Sequence, residues 1–158
     1  MYTYNGLGVK VVREACLPLP KKQVCTPEKA IEVAHQAIGN EDREVFVTII
    51  LDVRNQVLGI NTVSIGTLNV SLVGPREVFK PAIVMGAASI IIAHNHPSAD
   101  LSHSKEDMEI THRLQKAGEL LGIELLDSLI FSTTDYMSFK EQDLLLPKHK
   151  VTEIVGCL

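Results

Sequence analysis

The chain of 158 residues predicts a mixed α/β fold, a central mixed β-sheet flanked by helices. Three observations carry that prediction. Apolar, largely β-branched runs at 44–51 and 89–93 read as strands buried on both faces. Around them lie stretches with helical spacing and recognisable start and stop residues. Strands and helices are interleaved along the chain, which packs helices against the faces of a sheet.

The elements follow in order. Residues 1–25 read as an extension, with a short strand expected at 9–12 and an extended, turn-prone Leu17-Pro18-Leu19-Pro20. Thr26 suits an N-cap, Pro27 the first helical position and Glu28 the first turn. Ala30, Ile31, Ala34, Ala37 and Ile38 make the apolar stripe of that helix, and Gly39-Asn40 stops it. The strand at 44–51 turns through 52–56 and returns at 57–65 as a hairpin partner. A short strand or loop covers 66–73.

Pro75-Arg76-Glu77 opens a helix toward Ala87-Ala88, and Pro81 inside it lacks an amide hydrogen, so a kink or an early 3₁₀ turn is expected. The strand at 89–93 delivers His94 and His96. Residues 104–121 read as a helix ended by Gly122, with Met108, Leu114, Ala117, Leu120 and Leu121 among its apolar positions. A last strand at 123–131 is expected to be interrupted by Asp127-Ser128, and a short helix is expected within 136–146. Residues 147–158 read as a frayed tail, leaving one domain over 26–146.

Bulk composition narrows the function classes. Hydrophobic residues are 46% and charged residues 22%, ordinary for a soluble globular protein. A formal charge of -4 and a pI near 5.8 supply no general attraction for nucleic-acid backbones or anionic membranes. Lys21-Lys22 is the one basic doublet. Cys16, Cys25 and Cys157 have no C-x-x-C spacing, which argues against a disulfide framework and against a thiolate zinc site. With neither a signal-peptide pattern at the start nor an apolar run long enough to span a membrane, the expected compartment is the cytoplasm.

The most informative run is His94-Asn95-His96-Pro97, followed by Ser104 and Asp107. Residues i and i+2 of a strand share a face, so both imidazoles can reach one point. From His96 to Asp107 there is room for a turn and the first turn of a helix, which swings a carboxylate back toward the rings. Two histidines and a carboxylate with one position left for water make the open site expected of catalytic zinc. A competing explanation exists for each part. H-x-H is short and recurs by chance, and Ser104-Lys105-Glu106-Asp107 matches a capping box, whose closure would compete for the Asp107 carboxylate.

Other acids and histidines carry weaker signals. His103 and Asp100 share the intervening loop, and His103 is a candidate fourth ligand whose simpler role is a solvent-facing ring. His35, His112, His149, Asp127 and Asp135 have no partner spacing and read as surface residues. A hydrolytic site needs a base for water. Glu44, opening the first buried strand, and Glu77, in a first helical turn where acids favour the macrodipole, both stand as candidates.

Together these residues resemble the JAMM motif of the JAB/MPN metalloproteases: an upstream glutamate, H-x-H-P, a serine after seven intervening residues and an aspartate after two more. Here these are His94, His96, Pro97, Ser104 and Asp107. The chain is similar, more narrowly, to the bacterial RadC-like branch, through Pro75-Arg76-Glu77-Val78, the run Ala93 to Ser98, and Leu126-Asp127, over about Thr26 to Asp143. The resemblance implies a JAB/MPN domain similar to the cytidine deaminase-like fold. It implies one zinc per chain on His94, His96 and Asp107, with water as fourth ligand. Glu44 matches the family glutamate best, and Ser104 the serine that helps hold the oxyanion. The implied reaction is hydrolysis of a peptide or isopeptide bond in a peptide or protein substrate.

Two departures stand out. RadC-like chains usually carry an N-terminal helix-hairpin-helix segment, for which residues 1–25 are too few. Ser128 also stands where the family often has histidine after Leu-Asp. A DNA-associated module with a structural metal site is the alternative function, and the acidic charge weighs against it. Nucleases named for His-Asn-His spread those residues over a hairpin and helix. Deaminases of related architecture need H-x-E and P-C-x-x-C, neither of which occurs here.

Overall fold

A computed structural model describes residues 23–39, 41–66, 73–96 and 100–147. The strand expected at 9–12, most of the segment 66–73 and His149 lie outside those residues. The elements in chain order are α1 (Pro27–Ile38), β1 (Val45–Leu51), β2 (Val57–Ile65), α2 (Pro75–Val84), β3 (Ser89–Asn95), α3 (Lys105–Leu121), β4 (Glu124–Phe131) and β5 (Tyr136–Ser138). The strands form one sheet in the order β2-β1-β3-β4-β5. β1 runs antiparallel to β2 and β3, β3 and β4 are parallel across α3, and β5 returns antiparallel. The mixed sheet flanked by helices is as expected.

Burial of β1 on both faces creates two cores. Val45, Val47, Ile49 and Leu51 pack with Ala30, Ile31 and Ala34 of α1. Phe46 and Ile50 point the other way, into a cluster with Val78 and Phe79 of α2 and Ile110 and Leu114 of α3. This is the two-residue alternation of a strand sandwiched between helix layers. Thr26 precedes α1 in an extended conformation, and Gly39 ends it at φ 66°, where a side chain would be strained. Val33 fills the buried face of α1, whereas Ala37 is only half-buried. Ahead of α1, Val24 is buried and donates its amide to the Asn55 carbonyl at 2.8 Å.

Several expectations are corrected. α2 stays α-helical through Pro81 but stops at Val84, short of Ala87-Ala88. The chain leaves it through Gly86 at φ 66°, whose amide bonds the Ile83 carbonyl at 3.1 Å. On α3 the buried face is Asp107, Ile110, Thr111, Leu114 and Gly118, spaced by three and four. Leu120 and Leu121 are exposed, at 69% and 47%, although Gly118 in the same turn is buried.

β4 is not interrupted. Asp127 and Ser128 are buried within it, with an irregular register between Ile90 and Ile91 of the neighbouring strand. The strand tolerates them because their polar atoms are satisfied. Asp127 accepts from Ser138 Oγ at 2.6 Å, the Ser128 amide at 2.8 Å and the Lys140 amide at 3.0 Å. Residues 136–138 are a strand, not part of a short helix, and isolated turns follow it over 139–143. Among the described residues no helix is long and apolar enough to cross a membrane.

Candidate metal centre

The centre forms where β3 ends and α3 begins. The apolar run Ile90, Ile91, Ile92 and Ala93 holds β3 inside the sheet, so His94 arrives only 2% exposed on the α3-facing side. Its ring stacks on Phe46 at 5.9 Å between centroids and 11° between planes. His96 follows just past the strand, where its amide donates to the Phe131 carbonyl at 2.8 Å and prolongs the pairing with β4. His96 is half-buried, so the centre opens to solvent on its side.

α3 supplies the carboxylate through its own cap. Asp107 Oδ2 accepts from the Ser104 amide and from Ser104 Oγ, each at 2.7 Å. Ser104 Oγ in turn accepts from the Asp107 amide at 3.1 Å, which completes the capping box. The other oxygen, Oδ1, is left facing His94 Nε2 at 3.4 Å. The expected competition between capping and ligation therefore does not arise, since the carboxylate divides its two oxygens between them.

Two of the three donor separations, from His94 Nε2 to His96 Nε2 and to Asp107 Oδ1, are close to those around a tetrahedral ion. His94 Nε2 and His96 Nε2 are 3.0 Å apart, and the three candidate ligand atoms all lie within 4.8 Å of one another. Donors held about 2.0–2.1 Å from a tetrahedral zinc stand about 3.3 Å from each other. No fourth His, Cys, Asp or Glu joins the group among the described residues, so one vertex of a tetrahedron is left for water or substrate.

A hydrogen bond orients the His96 ring, and burial keeps the His94 ring neutral. His96 Nδ1 lies 2.6 Å from the Asp100 carbonyl, a contact it makes only as a donor, which turns Nε2 toward the group. Burial pulls the pKa of His94 down to about 4, against the attraction of Asp107 and with help from His96. Neutral imidazoles are the species that ligate.

The remaining candidates fall as follows. Continuing the antiparallel register of Phe46 with His94 by two residues sets Glu44 opposite His96. Alternation puts it on the face shared with Phe46 and His94, and it is half-buried. Glu77 is drawn to Arg76 Nε at 3.1 Å, which holds its carboxyl below the usual range. It does not join the gathered ligands. Ser104 lies beside the ligand carboxylate with its hydroxyl hydrogen directed at Asp107 Oδ2.

Asp100 joins through its carbonyl, while its carboxylate accepts from the Ser102 amide at 2.9 Å. His103 is exposed, against Phe139 at 5.6 Å, and is not part of the group. Two histidines expected at the surface are half-buried. His35 packs edge-on against Phe131 at 4.7 Å, and His112 Nε2 meets the Leu144 carbonyl at 2.9 Å. Asp127 is likewise buried, and desolvation raises its pKa.

Asn95 went unnoticed between its two histidines. The available signal is the alternation itself, which aims that amide into the core on the opposite face, where it needs partners.

Residues 24–144 match the model of the RadC-like JAB domain. A UPF0758 protein of Moorella thermoacetica is 56% identical over 133 residues, 84% of this chain and 58% of that one. One from Symbiobacterium thermophilum is 45% identical over 134 residues, 85% of this chain and 57% of the relative. Another, from Methanosarcina acetivorans, is 43% identical over 123 residues, covering 78% and 54%. The chain thus spans little more than half the length of these relatives.

Proposed function

The chain belongs to the RadC-like JAB domain family, and on that premise we propose that it is a zinc metallopeptidase hydrolysing a peptide or isopeptide bond. The observation that carries this reading is the convergence of His94 Nε2, His96 Nε2 and an Asp107 carboxylate oxygen within 4.8 Å of one another, with the His96 side open. Zinc bound there would supply Lewis acidity, lowering the pKa of water toward about 7 and polarising a carbonyl.

The chain's own residues do the rest. His94 and His96 would hold the ion as neutral rings, and Asp107 would add the negative charge. Glu44 takes the proton from the attacking water and returns it to the leaving amine. Ser104, which keeps Asp107 oriented, rotates its hydroxyl to donate to the oxyanion as the tetrahedral state forms. The substrate is a peptide or protein segment laid across the open side beside His96.

Elemental analysis and a peptide-library screen test this reading together. The purified chain should hold about one zinc and cleave peptides, and His96→Ala should lose both. Glu44→Gln should keep the zinc and lose turnover, while Glu77→Gln should keep both. A zinc-loaded chain that cleaves nothing, or a Glu44→Gln variant with full turnover, would overturn it.

A further inference from the structure

Asn95 occupies the middle of the histidine run yet faces the other side of the sheet, where it is 8% exposed. We propose that Asn95 is a positioning residue that fixes Glu44 opposite His96, an inference that rests on reading Glu44 as the general base. Asn95 Oδ1 accepts the Val45 amide at 2.6 Å, and Asn95 Nδ2 donates to the Arg43 carbonyl at 2.9 Å. Those two main-chain groups flank Glu44 directly. One side chain therefore grips the backbone on either side of the candidate base.

The grip comes where the strand ladder stops. Paired register between β1 and β3 ends at Phe46 and His94, and one residue further on the Asn95 amide carries the connection. A carboxamide suits this task because it presents one acceptor and one donor in the same plane. Leucine, of similar size, would leave the Val45 amide and the Arg43 carbonyl without that partner. Aspartate would keep the bond from Val45 and turn a second acceptor onto the Arg43 carbonyl.

The coupling runs from Asn95 through the backbone to the proton acceptor, not to the ion. His94 and His96 are held by other means, the first by burial against Phe46 and the second by the Phe131 and Asp100 carbonyls. Loosening Asn95 should thus spare zinc binding and impair proton transfer. A small displacement of a reacting group can cost on the order of 100-fold in rate.

The test compares Asn95→Leu and Asn95→Asp, each with and without Glu44→Gln, in the zinc-loaded chain. In Asn95→Leu, hydrogen exchange at the Val45 amide should accelerate about tenfold, as expected for one lost buried hydrogen bond. Zinc affinity, read by competition with a chromophoric chelator, should stay within about twofold of the unaltered chain. Peptide turnover should fall about 100-fold in kcat with KM unchanged, whereas in the Glu44→Gln background Asn95→Leu should leave the small residual rate unaltered. Asn95→Asp, which retains the Val45 bond and serves should the leucine variant fail to fold, should lose kcat while keeping Val45 protected.

Unchanged Val45 exchange in the leucine variant overturns the proposal. So does zinc affinity that falls in step with kcat, or a loss that adds in full to that of Glu44→Gln. If the unaltered chain has no turnover, the peptidase reading fails, and Val45 exchange with zinc affinity still judges the clamp.

Discussion

Thr111 donates its hydroxyl hydrogen to Ser128 Oγ at 3.0 Å, and both groups are buried between α3 and β4. Thr111 stands one helical turn beyond Asp107 on the same face of α3, and Ser128 pairs with Ile92, two residues before His94. The bond therefore ties the helix carrying the carboxylate to the strands carrying the rings. Thr111→Val keeps the shape and strands Ser128, so it should cost about 1–3 kcal/mol, and adding Ser128→Ala should recover part of that loss. Zinc affinity should also drop in the single variant, because the tie that holds the helix of Asp107 to the sheet is loosened. Urea unfolding and zinc titration read both. Fully additive single-variant losses would contradict the coupling.

Ser104 both caps α3 and orients the ligand carboxylate. Ser104→Ala should lower stability by about 1 kcal/mol through the lost cap, and weaken zinc by about tenfold through the freed Asp107. Thermal unfolding without metal and a zinc titration separate the two effects. Affinity that survives the substitution would mean that the Ser104 amide, at 2.7 Å from Oδ2, orients the carboxylate unaided.

Gly118 marks the closest approach of α3 to its neighbours. A Cβ there would press on the Ile123 carbonyl and sit 3.1 Å from the Phe79 ring. Alanine is the better helix former, yet Gly118→Ala should destabilise by about 1–3 kcal/mol because backbone has to move. A chemical denaturation midpoint at or above that of the unaltered chain would show that the layer yields easily.

Asp127 gives a pH signature of defined sign. Desolvation raises its folded-state pKa above the ordinary value of 3.8. The folded chain therefore binds this proton more tightly than the unfolded one, and the contribution of Asp127 to stability declines as pH rises through that window. Asp127→Asn removes the titration and can still accept from the Ser128 and Lys140 amides. Its stability relative to the unaltered chain should improve from about pH 3.8 upward until the raised pKa is passed. Parallel unfolding curves whose difference is flat across that range would refute the assignment.

Legibility from sequence depended on how far away each residue's partner lies. α1, β1, β3 and α3 were readable because apolar runs, Pro27, Gly39, Ser104 and Gly122 act within a few residues of themselves. The grouping of His94, His96 and Asp107 was readable for the same reason, as the three are close in sequence. Asp127 and Ser128 read as an interruption of β4 because Ser138, Lys140 and Thr111, which satisfy them, come from other elements. Asn95 was hidden in the same way, its partners lying 50 and 52 residues upstream. Leu120 and Leu121 suggest core by their apolar character, but Leu120 lies two residues past the buried Gly118, off the face that α3 buries. The strand β5 was missed because three residues are too few to show a period.

The sequence separations within the site set an order of assembly. Bringing Asp107 to His94 closes a loop of 13 residues, whereas bringing Val45 to Asn95 closes one of 50. The longer closure costs about 1 kcal/mol more in chain entropy. A nascent chain can thus gather His94, His96 and Asp107 from one short stretch, and brings Glu44 opposite His96 only once the distant hairpin has docked.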